Sequence, residues 1–182
     1  SNISPTIKSR CVNFLINTPD FEQFNNILNI HNPNLEIDDI NFLYNVTNSS
    51  PGLAISINSS DIIHLYKEMI DLFINYKKIN PKIINFSNTL NNLSNDDFKI
   101  FLILLRYVLI TITKINLGIN FDNTISFNLL DYIYNASDYI DNNATLNILE
   151  YLNNNENELF LYNLDKKIFF LNIFPLLKNN HE

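Results

Sequence analysis

The sequence contains very little glycine, cysteine or tryptophan. Its 182 residues include two glycines, one cysteine and no tryptophan. The single cysteine, Cys11, excludes an internal disulfide bridge, and a reducing cytoplasm is the simplest interpretation of this cysteine usage. Two glycines supply few positions with positive φ, which the tight hairpins of an all-β fold need. These absences favour helices over a fold of short strands.

Positive charge is also scarce. Twelve lysines and arginines stand against 19 acidic residues, so that the net charge is −7. A surface that binds DNA by itself needs clustered basic side chains. The chain has only two small basic clusters, Lys77-Lys78 with Lys82 and Lys166-Lys167, and we interpret both as solvated helix ends.

Apolar residues make up 46% of the chain, which is enough for a buried core without a structural metal. The longest apolar run, Phe98 to Thr113, is interrupted by Lys99 and Arg106 and is shorter than the roughly 20 residues of a membrane span. We interpret it as a central core helix. Asparagine, roughly one residue in five, tolerates turns and left-handed helix ends, so we expect helices joined by Asn-containing turns. Low-complexity disorder is the alternative, and apolar residues at helical spacing argue against it.

Apolar residues recur at helical spacing along most of the chain and predict an all-α fold. The first helix is predicted to begin with Thr18 as N-cap and Pro19 in the first position. The later helices are predicted to span about 37–47, to start at Ser50, and to span about 60–76, 82–93, 96–116, 125–140, 144–152 and 164–177. Before them, the apolar run at 12–16 predicts a strand-like remnant.

The residues alone show no arrangement typical of catalysis or metal binding. There is no Gly-rich phosphate loop and no pair of Cys or His residues with zinc-ligand spacing. Three histidines lie far apart in the sequence: His31, His64 and His181. The paired acids Asp38-Asp39 and Asp96-Asp97 stand at predicted helix starts, where they complement the helix dipole. Cys11 has no obvious base beside it, and we expect a small buried residue.

Two short motifs suggest a function. The segment Ser4-Pro5-Thr6-Ile7-Lys8-Ser9-Arg10-Cys11 resembles the P-T-[IL]-x-S-R-C segment that ends the ATPase domain of bacterial clamp loaders and holds their arginine finger. About forty residues later, Ser50-Pro51-Gly52-Leu53-Ala54 is similar to the start of the sensor 2 helix. That start reads S-x-R-D-A-L in gamma/tau subunits and S-P-G-x-A-L in delta prime subunits. The chain therefore resembles the delta prime family of clamp-loader subunits in bacterial DNA polymerase III.

The resemblance covers the whole chain, with two departures. The family commonly has glycine where this chain has Ser49. The region after the second motif is similar only in its helical pattern, apart from Asn163-Leu164-Asp165, which resembles the last helix of some delta prime chains.

The resemblance implies a C-terminal portion with three parts: residues 1–11 as the end of an AAA+ ATPase domain, 12–58 as a three-helix lid, and 59–182 as a helical collar for oligomerisation. It implies that Arg10, supported by Ser9 and Cys11, is a finger acting on ATP-Mg²⁺ held by a neighbouring subunit. Ser50, Pro51 and Gly52 would form a degenerate sensor 2, in which Gly52 replaces the arginine. No cofactor and no enzymatic activity are expected of this portion itself.

The implied partners are the gamma/tau and delta subunits of the loader, with the sliding clamp and primer-template DNA reached through the assembled complex in the cytoplasm, and no membrane. Two alternatives remain. A gamma/tau ATPase subunit is disfavoured by Gly52. A helical adaptor or scaffold without any connection to nucleotides would make Arg10 incidental.

Overall fold

The computed structural model describes residues 10–12, 17–58, 62–75, 81–119 and 127–177. All regular secondary structure within these ranges is helical, which confirms the predicted all-α fold. Most of the predicted strand-like run, residues 13–16, lies outside the described residues, and so does the predicted domain boundary after residue 58. The division into lid and collar stays a prediction.

The helices of the described residues are numbered along the chain. They are α1 Phe21–His31, α2 Ile37–Val46, α3 Pro51–Asn58, α4 Ile62–Ile74, α5 Pro81–Asn91, α6 Asn95–Asn116, α7 Phe127–Ser137, α8 Asn142–Leu161 and α9 Lys166–Leu171. A short 3₁₀ helix, Phe174–Leu177, follows α9.

Acidic and hydroxyl side chains cap the starts of several helices. The N-cap of α1 is Asp20, whose side chain accepts a hydrogen bond from the Gln23 amide at 2.9 Å. The Gln23 side chain accepts one from the Asp20 amide in return, at 3.3 Å. This reciprocal capping box fixes the start of α1 at Phe21. The predicted start, with Thr18 as N-cap and Pro19 in the first position, was therefore wrong by two residues.

Asparagine occupies left-handed positions at two helix ends. Asn48 after α2 has φ 49° and Asn163 after α8 also has φ 49°, while Gly118 after α6 has φ 69°. At the end of α8 the Leu164 amide donates to the Leu159 carbonyl at 2.9 Å, the long-range bond of a Schellman motif. Asparagine tolerates this conformation better than most residues. The expectation of Asn-containing turns is confirmed at these two ends.

Two predicted helices near the C-terminus had the wrong limits. Helix α8 was predicted to end at residue 152 and continues to Leu161, because Leu159 is buried and keeps the apolar face in register. The predicted helix at 164–177 is divided into α9 and the 3₁₀ helix. Pro175 lies at this division, and it has no amide hydrogen to donate to an α-helical ladder.

Helix α6 lies at the centre of the fold and contacts α2, α4, α7 and α8. Its buried residues are Phe98, Ile100, Phe101, Leu102, Leu104, Leu105, Val108, Leu109, Thr111 and Ile112. They surround most of its circumference, as expected for the predicted core helix. Arg106 interrupts this apolar surface and forms an ion pair with Glu156 of α8. No helix in the described part of the chain has the length and apolar character needed to cross a membrane.

The first three helices pack onto the larger part of the fold through Phe42. Its ring lies 6.2 Å from that of Tyr66 on α4 and 5.8 Å from that of Tyr107 on α6, both edge to face. Burial raises the pKa of Tyr107 to about 12 and raises the pKa of Tyr66 well above its ordinary value. The Tyr66 hydroxyl is buried and has no hydrogen-bond partner among the described residues.

Lys166, the first residue of α9, joins this helix to the turn between α5 and α6. Lys166 donates from Nζ to the Leu93 carbonyl at 2.6 Å and lies over the ring of Phe98, 5.8 Å from its centroid. The interpretation of Lys166-Lys167 as a solvated helix end was therefore wrong for Lys166, because an available backbone carbonyl and an aromatic face replace water around its ammonium group.

Alkaline conditions test the tyrosine junction. The pKa of Tyr107 is higher in the folded chain than its unfolded value of about 10, so the unfolded chain loses its proton first and stability falls as pH rises from about 10 to 12. We expect Tyr107→Phe to reduce this fall by about 2 kcal/mol, measured by urea unfolding between about pH 9 and about pH 12. The exposed Tyr132→Phe is the control. An unchanged pH dependence in Tyr107→Phe would contradict the assignment.

A second prediction concerns the Lys166 contact. Lys166→Met removes the donor to the Leu93 carbonyl, and we expect a loss of about 1–2 kcal/mol in the free energy of unfolding. Lys99→Met is the matched control, because Lys99 also lies over a ring, that of Phe160, but its ion pair with Asp96 is exposed. That change should cost less than about 0.5 kcal/mol. Equal effects would show that the carbonyl bond contributes nothing.

Candidate functional site

Arg10 is an exposed residue in a turn before the first helix. Within the described part of the chain it forms no ion pair, and no hydrogen bond joins it to another residue there. Its neighbour in the motif, Ser9, lies outside the described residues. None of the described residues therefore neutralises its guanidinium group.

Cys11 is exposed, and the expectation of a buried cysteine was wrong. The next residue, Val12, is 79% exposed. Both residues precede α1, and no described helix covers this segment. Exposure leaves the thiol as a short, weakly polar side chain beside Arg10, without a packing role in the described core.

The second motif forms the start of α3, as predicted. Pro51 is the first helical residue, where its missing amide hydrogen costs nothing. The Ser50 carbonyl accepts the first helical hydrogen bond, from the Ala54 amide at 3.0 Å. Ala54 and Ile57 are buried and hold α3 against its neighbours. The inner side of this helix start therefore packs against the neighbouring helices, whereas its outward side is exposed to solvent.

Gly52 lies on that outward side. A Cβ atom built at this position meets no atom within 4 Å, and the residue has no positive φ that would require glycine. Glycine in a helix costs roughly 0.5–1 kcal/mol relative to alanine. Neither packing nor backbone geometry explains the choice of glycine at this exposed position.

The turn before this motif adopts a conformation that favours glycine. Ser49 has φ 63°, next to Asn48 at 49°. The Ser49 amide donates to the Tyr44 carbonyl at 2.9 Å, which ties the turn to the end of α2. Left-handed backbone costs an ordinary L-residue about 1–2 kcal/mol. The turn is thus strained by serine and would be relaxed by glycine.

The described residues show no bonded contact between the two motifs. In the described residues, no hydrogen bond or ion pair links Arg10 or Cys11 with the Ser50–Gly52 segment. No cluster of His, Cys, Asp and Glu that could hold a metal is found among the described residues either. The acid pairs Asp38-Asp39 and Asp96-Asp97 lie in the first turns of α2 and α6, which confirms their helix-start role.

A groove with a volume of about 420 Å³, which no pattern in the sequence predicted, lies between α8 and α9. We call it the α8–α9 groove. Tyr151, Asn155 and Glu158 of α8 form one side, and residues of α9 and the turn before it form the other. The three α8 residues share one helix face, but two of them lie beyond the predicted end of that helix, so no helical register was predicted for them.

Comparison with known proteins adds no assignment: no protein-family model matches the sequence, and neither curated proteins nor solved structures yield a match.

The strain at Ser49 can be tested directly. We expect Ser49→Gly to raise the free energy of unfolding by about 0.5–1 kcal/mol, because the strain relieved exceeds the added freedom of the unfolded chain. Ser56→Gly, at an exposed position inside α3, is the matched control and should lower it by about 0.5 kcal/mol. Urea denaturation measures both. Destabilisation by Ser49→Gly would show that serine is not strained there.

Proposed function

We propose that this chain is the lid and collar part of a delta prime-type subunit of a bacterial clamp loader. In this role it hydrolyses no nucleotide. It supplies Arg10 to the ATP-Mg²⁺ site of a neighbouring gamma/tau subunit, and its helical body holds the subunit in the complex that loads the sliding clamp onto primed DNA.

The exposed Arg10, at the end of the Ser-Arg-Cys motif, is the observation that carries the proposal. An arginine finger has to project from its own subunit, and Arg10 has no ion pair with any described residue. Its planar guanidinium stays charged and can bind two phosphate oxygens at once. It would stabilise the charge that develops on the γ-phosphate during transfer to water.

The use of arginine rather than lysine supports this role. Of the chain's twelve basic residues only two, Arg10 and Arg106, are arginines. Arg106 is three-quarters buried in its ion pair with Glu156, where the geometry of the guanidinium group matters. Solvation alone would be served by lysine, which the chain uses at its other basic positions. An exposed arginine is therefore best explained by a binding role.

Gly52 supports a subunit that hydrolyses nothing. In the resemblance it takes the place of the sensor 2 arginine, the residue that contacts the phosphate of a subunit's own nucleotide. Gly52 is exposed, and a Cβ atom at this position would meet no atom within 4 Å, so lack of space next to the backbone does not explain why arginine is absent. Its absence is consistent with a chain that does not bind nucleotide through this helix, and it weighs against a gamma/tau subunit.

The turn at Ser49 gives support that is independent of side-chain chemistry. The delta prime pattern commonly has glycine here, and the backbone of Ser49 has the positive φ that glycine adopts most easily. The departure in sequence is thus accompanied by the backbone conformation that fits the family's usual residue. This agreement favours the alignment on which the proposal rests.

The test is Arg10→Ala in a clamp loader reconstituted with the whole subunit. We expect the rate of hydrolysis at the adjoining site to fall by about 10³-fold or more. The DNA- and clamp-stimulated ATPase rate of the whole complex should then fall by the fraction that this site contributes. Arg10→Lys should be nearly as damaging, because the ammonium group cannot form the bidentate contact. Single-turnover hydrolysis with labelled ATP resolves the affected site.

Cys11→Ser is the control beside Arg10 and should leave the rate unchanged. Size-exclusion chromatography shows whether each variant still assembles. Full ATPase activity in an assembled Arg10→Ala complex would refute the finger, and failure of the unaltered chain to assemble with gamma/tau and delta subunits would refute the clamp-loader assignment.

A further inference from the structure

The α8–α9 groove combines an apolar floor with exposed apolar edges. On the α9 side, Leu164, Ile168 and Phe169 line it. Phe169 is buried, whereas Leu164 is 49% exposed and Ile168 is 57% exposed. Side chains of this size at the edge of an open groove leave apolar area in contact with water, which association with a partner would remove.

Two further exposed apolar side chains lie at the C-terminal end of α8. Leu161 is 74% exposed, and Tyr162, the C-cap residue, is 66% exposed. They do not line the groove, but they add apolar area in contact with water at the end of the helix that forms one of its sides.

The floor of the groove is fixed in place. The ring of Tyr151 packs against that of Phe169 at 5.1 Å between centroids, and the Tyr151 hydroxyl donates to the Phe169 carbonyl at 3.1 Å. These contacts join α8 to α9 directly. A partner would therefore meet a preformed surface, which reduces the entropy lost on binding.

Acidic groups border the apolar floor on both sides. Glu158 on α8 and Asp165 before α9 both line the groove and are exposed. One oxygen of Asp165 accepts a bond from the Ile168 amide at 2.9 Å, and Glu158 forms no ion pair within the described part of the chain. Glu158 and Asp165 are the charged side chains among the described residues that line the groove, whereas the ammonium group of the nearby Lys166 lies against the Leu93 carbonyl. The lining itself thus carries two negative charges.

We propose that the α8–α9 groove binds a basic amphipathic helix from a different protein chain. The apolar face of that helix would cover Leu164, Ile168 and Phe169, and lysine or arginine residues on its flanks would approach Glu158 and Asp165. Such a helix laid between two helices is a common mode of recognition. The charge pattern selects for basic partners.

A second copy of this chain fits the groove poorly. A symmetric pair would bring the same acidic rim from each copy together, because a two-fold interface uses the same patch on both subunits. The chain also has a net charge of −7, which adds repulsion between copies. The partner is therefore a different chain with basic residues at the contact.

The size of the groove limits the contact. Residues 151 to 158 span about 10 Å along α8, which corresponds to about two turns of a docked helix. One apolar side chain of the docked helix, or two that are three or four residues apart, would fill the floor. This small interface predicts a modest affinity that falls as salt screens the acidic rim.

Binding can be measured with the purified chain and a designed helical peptide of about 14 residues, or about four turns, with leucines on one face and lysines on both flanks. A second peptide has glutamate at every lysine position. Fluorescence anisotropy should detect the basic peptide and not the acidic one. We expect Ile168→Ser and Glu158→Lys each to weaken basic-peptide binding by about tenfold, equivalent to about 1.4 kcal/mol. Glu158→Lys should improve binding of the acidic peptide.

Matched controls on α2 separate docking from general attraction to an acidic protein. The exposed fraction of Ile37, 54%, is similar to that of Ile168, and Asp38, the next residue in the sequence, is also exposed. Ile37→Ser and Asp38→Lys should leave the basic peptide's affinity unchanged. Equal losses in both pairs of variants, or no binding of the basic peptide, would overturn the proposal. So would concentration-dependent dimerisation of the chain that Ile168→Ser abolishes, because the occupant would then be a second copy.

This inference stands on the groove itself and does not depend on the clamp-loader proposal. The peptide experiment uses the chain alone, whereas the finger experiment measures ATP hydrolysis in an assembled complex. A negative result in one experiment does not affect the other, so each proposal can be refuted independently.

Discussion

The burial of α6 is the constraint on which the rest of the fold depends. An apolar helix of 22 residues cannot leave its sides in water, so α2, α4, α7 and α8 are required to cover it. Arg106 is the one basic residue near its middle, and Glu156 of α8 neutralises it. That pair joins α8 to α6, because a charge that is three-quarters buried is unfavourable without a partner.

Burial of α6 also determines where polar chemistry can occur. The buried centre of the described residues is apolar apart from a few hydroxyls, among them those of Thr113 and Thr145, which bond to each other at 2.9 Å, and that of Tyr66, which has no partner there. The two proposed interactions with other molecules, at Arg10 and along the α8–α9 groove, therefore both involve the periphery. The core supplies rigidity to the groove, while Arg10 precedes the first helix.

The sequence predicted most helices because apolar periodicity reports directly on which face is buried. It misplaced the end of α8, because six polar residues separate Leu152 from Leu159 and interrupt the apolar pattern, and because the left-handed conformation of Asn163 is not evident from the sequence. The candidate site was found only through motifs of a few residues. Exposure of Cys11 was not predictable, because it depends on which helices fail to cover that segment. The groove required the packing of α9 against α8, which no local pattern encodes.

The helix ends at Asn48 and Asn163 have a consequence for the unfolded chain. Glycine would enter the left-handed region more easily, but it would also give the unfolded chain more backbone freedom to lose on folding. Asparagine causes some strain in the folded backbone at these positions, but it restricts the unfolded chain more than glycine does. A chain with two glycines in 182 residues thus begins folding with lower conformational entropy at its turns. Part of its stability therefore comes from the restricted unfolded chain and cannot be attributed to any contact in the folded molecule.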